Sequence, residues 1–122
     1  MTIAEAMSAV EESRPGGAVD AEKLLLLCEI ERRIFDELIA THEGGEAAPR
    51  RYDATTDADT ALFAPVGYDA LYLRFLESRI DYLQGEIARY NVSAAAFNEA
   101  YASFAAYYNR AHLPRSQAIK YY

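Results

Sequence analysis

Tyr68–Ala111, YDALYLRFLESRIDYLQGEIARYNVSAAAFNEAYASFAAYYNRA, decides how this chain folds. Taken at steps of three and four, Leu76, Ile80, Leu83, Ile87, Tyr90, Ala94, Phe97, Tyr101, Phe104 and Tyr108 fall on one face, which is the period of a helix. Tyr72, Phe75, Tyr82 and Tyr107 widen that stripe, so the helix needs more than one neighbour to cover it. Tyr90-Asn91-Val92-Ser93 admits two readings. Asn91 tolerates the left-handed conformation and Ser93 is a good N-cap, which favours a turn here and two helices that bury more surface in a bundle. The stripe passes through without a phase break, so the other reading is one helix of about 65 Å. Pro114 ends the last helix.

Upstream, Glu46–Gly67 loses the apolar period: Pro49, Pro65, Asp53, Asp57, Asp59 and three threonines replace it. A segment of this length without regular structure is often functional in a compact domain. Short strands are weakly signalled at Arg51-Tyr52 and Leu62-Phe63, and Tyr52, Leu62 and Phe63 are the residues expected to pin the loop to the bundle. The following helix is expected to start between Val66 and Asp69.

Before the loop, Leu24, Leu27, Cys28, Ile34, Phe35, Leu38 and Ile39 repeat at helical spacing, with Asp20 as the expected N-cap and Gly44-Gly45 as the stop. This helix is about 35 Å long, with Glu29–Arg33, Arg32–Asp36 and Arg33–Glu37 as i,i+4 pairs on its wet side. Arg74–Glu77 and Glu86–Arg89 are i,i+3 pairs farther on. At the start, Thr2-Ile3-Ala4-Glu5 reads as a capping box opening a short helix that ends near Ser13 ahead of Pro15-Gly16-Gly17. A helix so short must dock, on its own domain or on a neighbouring copy. The pattern therefore predicts an all-α protein: a small helical bundle over residues 1–114 with a long loop before the C-terminal helices, and an extended C-terminal tail over 115–122.

The 122 residues suit one domain, and 52% apolar with 25% charged residues argues against disorder. A single cysteine, Cys28, allows no internal disulfide. The acidic start has no signal-peptide pattern and Leu24–Leu27 is too short to span a bilayer, so a cytoplasmic product without membrane contact is expected. The net charge of -7 is uneven. Residues 1–67 hold 14 acids and 6 bases, giving -8, and residues 68–122 hold 5 acids and 6 bases, giving +1. The acidic body disfavours broad nucleic-acid binding.

Constellations that carry catalysis or metal fail on spacing, so no enzyme activity and no cofactor are expected. A helical di-iron site needs Glu-x-x-His, but Ile39 and Asn109 stand three before His42 and His112. His42-Glu43 has no histidine four residues on. Asp57-Ala58-Asp59 opens like a calcium loop, yet Leu62 and Tyr68 occupy its glycine and glutamate positions. Cys28 among leucines reads as an inert buried thiol.

Ten tyrosines without a tryptophan is the unusual feature. Tyrosine suits positions where the ring is buried and the hydroxyl meets water or a partner, as at bundle rims and interfaces. The basic end, Arg110–Tyr122, contains no acid. Tyr101, Tyr107, Tyr108, Arg110, His112, Arg115, Ile119, Lys120, Tyr121 and Tyr122 are accordingly the candidate protein-contact residues. The tail's strand-like Ala118–Tyr122 suits addition to another chain's sheet or groove, with fraying as the alternative.

KLLLLCEIERRIFDELIATHEGG (residues 23–45), YDALYLRFLESRIDYLQGEIARYN (68–91) and FNEAYASFAAYYNRAHLP (97–114) together resemble the small helical head–tail connector, or adaptor, proteins of tailed phages and prophages of Gram-positive bacteria. The resemblance covers Lys23 to Pro114 and rests on texture and aromatic spacing. Val66-Gly67 departs from it, standing where such sequences carry a more polar, proline-containing helix start. The resemblance implies a structural protein of the virion neck, assembled in the host cytoplasm. It implies a homo-oligomeric ring, typically twelve-fold, beneath the portal protein, extending the DNA channel and presenting a surface to the next neck or tail protein. DNA would pass through without sequence-specific binding. An acidic body fits a channel that repels a passing polyanion. The alternative from another class is a small acidic regulatory protein, such as a DNA-mimicking inhibitor of an enzyme with a basic site.

Overall fold

A computed structural model describes residues 1–115 as an all-α bundle of four helices. In chain order these are α1 (Ile3–Ser13), α2 (Asp20–Ile34), α3 (Ala70–Leu83) and α4 (Ile87–Ala111). α2 continues directly into a π-helical turn, Phe35–Ile39, where the Ala40 N–H reaches back five residues to the Phe35 carbonyl at 2.8 Å. Two isolated bridges, Thr2 to Ala61 and His42 to Pro114, are the nearest approach to sheet among the described residues, so the weak strand signals at Arg51-Tyr52 and Leu62-Phe63 produce no strand.

α1 starts on the capping box read from the sequence: the Glu5 N–H donates to Thr2 Oγ1 at 3.2 Å and the Thr2 N–H to Glu5 Oε1 at 2.8 Å. The helix docks on its own domain, burying Ile3, Ala6 and Val10. Asp20 does not cap α2. It is the first helical residue, Val19 holds the cap position, and its carboxylate lies 3.7 Å from the Lys23 ammonium. Arg32–Asp36 and Arg33–Glu37 pair as expected, at 3.1 and 3.2 Å. Glu29 pairs instead with Arg79 of α3, and Arg33 is taken by Glu37.

α3 and α4 form the main helical hairpin, and the turn between them is not at Asn91. The chain reverses over Gln84–Glu86, with Gly85 at φ +72°, and α4 runs unbroken through Asn91 and Ser93. Gly85 supplies the left-handed residue that the turn requires. Ser93 has a different use: its hydroxyl donates to Asp81 Oδ2 of α3 at 2.8 Å. Placing the turn at Gly85 takes Leu83 and Ile87 out of the buried stripe. The core is built from Leu27, Ile30 and Ile34 of α2, from Leu71, Tyr72, Leu76 and Ile80 of α3, and from Phe97, Phe104 and Tyr108 of α4, closed at one edge by Ile3 and Val10. α3 starts at Ala70, just after the expected window, following a turn in which the Tyr68 N–H donates to the Pro65 carbonyl.

Candidate functional site

Three features decide what this fold can contact: the way the loop is held, the end of the bundle where α4 meets the π-helical turn, and the surface left open at the α3–α4 turn.

The loop is held from inside. Glu31 of α2 is buried, and its carboxylate accepts from the Tyr52 hydroxyl at 2.5 Å, the Tyr72 hydroxyl at 2.6 Å and the Phe63 N–H at 3.0 Å. The Tyr72 oxygen in turn accepts from the Ala64 N–H at 2.9 Å. Cys28 completes the clamp: its thiol donates to the Tyr52 carbonyl and its sulfur accepts from the Tyr52 N–H, each at 3.2 Å. A buried carboxylate is tolerated only when its lone pairs are engaged, and here two hydroxyls and a backbone amide engage them. Burial and the neighbouring Glu31 charge push both tyrosine hydroxyls well above the ordinary phenol range, so they remain donors. Tyr52, Leu62 and Phe63 thus fasten the loop as the sequence reading expects.

A second buried junction ties α1 to the hairpin. Arg14 grips Asp81 through Nε at 2.7 Å and Nη2 at 2.9 Å, and Ser93 adds its hydroxyl. The guanidinium and the hydroxyl hold the Asp81 carboxyl below its usual range. In both junctions the polar groups described face partners within the chain. No group of three or more metal-ligating side chains gathers among the described residues.

The predicted contact residues at the carboxyl end divide. Tyr101 is buried, donates to Glu37 Oε1 at 2.7 Å and lies under the Arg33 guanidinium, 4.5 Å from its ring centroid. Desolvation raises its hydroxyl above the phenol range. Tyr108 is buried with its ring stacked on His112 at 3.9 Å and edge-on to His42 at 5.4 Å. Its hydroxyl has no hydrogen-bond partner among the described residues and presses against Gly45, where a β-carbon would stand 3.0 Å from the oxygen. Tyr107 is half-buried, stacked on Tyr68 at 4.4 Å. Arg110 is exposed on α4. Arg115 caps the end of the α2 rod, its N–H on the Thr41 carbonyl at 2.8 Å and its Nε on the Ala40 carbonyl at 2.9 Å. That is the favoured place for a cation, where carbonyls lack helical partners. Tyr101, Tyr108 and Arg115 are therefore used within the chain, while Tyr107, Arg110 and His112 keep accessible surface. Ile119, Lys120, Tyr121 and Tyr122 lie outside the described residues.

The surface that the sequence reading missed is the hairpin tip. Tyr82, Leu83 and Ile87 are 57%, 68% and 61% exposed, and Tyr90 closes the group with its ring 5.4 Å from that of Tyr82. The signal that marks it is Gln84-Gly85-Glu86, a polar break with a glycine inside an otherwise apolar run. Beside the tip, a crevice of about 460 Å³ has Phe75 and Phe97 along it and Arg33 and Arg79 at its sides. On the other flank of α2, a larger groove of about 530 Å³ lies between α1, α2 and the loop, lined by Ile3, Met7, Leu24 and Leu25, with Asp20 and Asp53 among its lining residues. No helix of the described residues is long and apolar enough to cross a membrane. Compared with protein families, curated proteins and solved structures, the chain matches none.

Proposed function

We propose that this chain is a structural assembly protein of a tailed-phage neck, a head–tail adaptor that forms a ring below the portal and extends the DNA channel. The observation that carries the reading is the apolar hairpin tip. Tyr82, Leu83 and Ile87 stand in water at the end of a hairpin that buries Leu71, Tyr72, Phe75, Leu76, Ile80, Phe97, Phe104 and Tyr108 in the core. A contiguous exposed apolar group is the mark of a protein contact. Two grooves flank α2, and the tyrosine-rich α4 runs away from the tip toward the basic end, so one small body offers several distinct contact surfaces. An adaptor needs that many, because it meets like copies, the portal above and the next neck or tail protein below. The role requires no catalysis and no cofactor.

Acidic mimicry of DNA is less well supported, because acids of α1, α2 and α3 are committed to internal partners: Glu11 to Lys23, Glu29 to Arg79, Glu77 and Asp81 to Arg14, and Glu31 to two tyrosines. Light scattering of the purified chain, alone and mixed with the portal protein from the same gene neighbourhood, tests the reading. A large closed oligomer or a stoichiometric portal complex is expected, with little change between low and high salt, because apolar contacts are not screened. A chain that stays monomeric and ignores the portal overturns it.

A further inference from the structure

We propose that the groove between α1, α2 and the loop takes residues 118–122 of a second copy of this chain. The inference rests on the self-assembly in the adaptor reading and names the surfaces that join neighbours. The floor of the groove is apolar and built in advance. Ile3, Met7, Leu24 and Leu25 line it beside Tyr52, which the Glu31 clamp and Cys28 hold in place. Leu25 is 70% exposed, so the groove stands open in the isolated chain. Asp20 and Asp53 sit among the lining residues. The buried Lys23 lies closer to Glu11, at 2.8 Å, than to Asp20, at 3.7 Å.

The segment Ala118-Ile119-Lys120-Tyr121-Tyr122 is complementary in kind: apolar and aromatic, with one cation and no acid. An extended peptide of this composition lays alternate side chains into a groove while its charge meets the acidic residues.

Reach decides that the occupant comes from another copy. Arg115 is bonded to Ala40 and Thr41, at the far end of the α2 rod. Leu24 lies sixteen residues before Ala40, about 24 Å along the rod at the helical rise. Ile119 is four residues beyond Arg115, no more than about 14 Å from it even when fully extended. Ile119 and Lys120 therefore cannot lie over Leu24 and Leu25 of their own chain; only Tyr122, about 25 Å from Arg115 at full extension, comes level with Leu24, so the segment as a whole cannot fill the groove of its own chain. A tail on one side entering a groove on another makes a head-to-tail contact, the type that closes into rings.

A fluorescent peptide of residues 115–122, RSQAIKYY, titrated with the full chain carrying Ile119→Glu, tests this by anisotropy, since the tail of one receptor molecule then no longer competes for the groove of another. Saturable binding is expected. It should fall about tenfold or more when the receptor also carries Leu25→Glu, on the scale of one lost leucine contact. Asp20→Lys should weaken it as well, and added salt should weaken it progressively. Leu25 and Asp20 are both exposed, so neither change disturbs the core, and circular dichroism checks that each variant is folded. A peptide that does not bind, or that binds the Leu25→Glu receptor as well as its parent, overturns the inference. The portal mixture is scored separately. Portal binding without peptide binding leaves the adaptor reading standing and removes this contact, and peptide binding by a chain that ignores the portal does the reverse.

Discussion

The Glu46–Gly67 loop and the α3–α4 turn exchange the places that their sequences assign them. The loop is long, polar and without period, yet Tyr52, Leu62 and Ala64 are buried and its amides are bonded to Glu31 and Tyr72. The turn lies within the most regular apolar stripe of the chain, yet Tyr82, Leu83 and Ile87 stand in water. Hydrophobicity is a property of the residue, whereas burial is a property of what lies opposite. The loop has α2 and α3 opposite it and a buried carboxylate to answer its donors. Among the described residues the turn has nothing packed over Leu83 and Ile87. The loop therefore contributes to stability and the turn is available for contact.

The comparison breaks first at Glu31. Glu31→Ala leaves the Tyr52 hydroxyl, the Phe63 N–H and one proton of the Tyr72 site without an acceptor, and should cost about 3 kcal/mol in urea unfolding. If the loss is within error of zero, the loop is not held by this clamp. The next effect is smaller and lies at the turn. Gly85 has φ +72° and open space where a β-carbon would project, so Gly85→Ala should cost about 1 kcal/mol from backbone strain alone. A neutral result would mean that the turn is not the left-handed one described. The smallest effect on stability sharpens the contrast. Leu83→Glu should change the unfolding free energy by no more than about 0.5 kcal/mol, as expected for a residue with no core neighbour. The same variant should lower the mass of any assembly seen by light scattering. A large loss of stability with assembly intact would place Leu83 in the core and remove the tip as a contact.

Much of the fold is legible in the sequence because it is local. The Thr2–Glu5 box, the stop at Pro15-Gly16-Gly17, the 3.6 period of α2, α3 and α4, and the Arg32–Asp36 and Arg33–Glu37 pairs all follow from residues within one or two turns of each other. Tyr52, Leu62 and Phe63 were also legible, being large apolar groups isolated in a polar segment. The turn was misplaced because Asn91 and Ser93 carry good capping chemistry in their own right. Gly85 prevailed because a reversal there places Ser93 against Asp81 and the α4 aromatics against α3, an arrangement visible only once both helices are in place.

The candidate surfaces divide in the same way. The tyrosine load and the basic end were legible as interaction material. Which tyrosines remain available was not, since Tyr101 and Tyr108 are turned inward by Glu37, Arg33 and His42, and Arg115 is taken by the end of α2. The sequence by itself determined the helices, the loop and the balance of charge, because periodicity, caps and composition act between near neighbours along the chain. Only the tertiary structure decided where the long hairpin turns, which acids lie paired in the interior and which apolar residues face water. Each of those depends on what packs opposite a side chain from a distant part of the chain, as Asp81 depends on Arg14 and Glu31 on Tyr72.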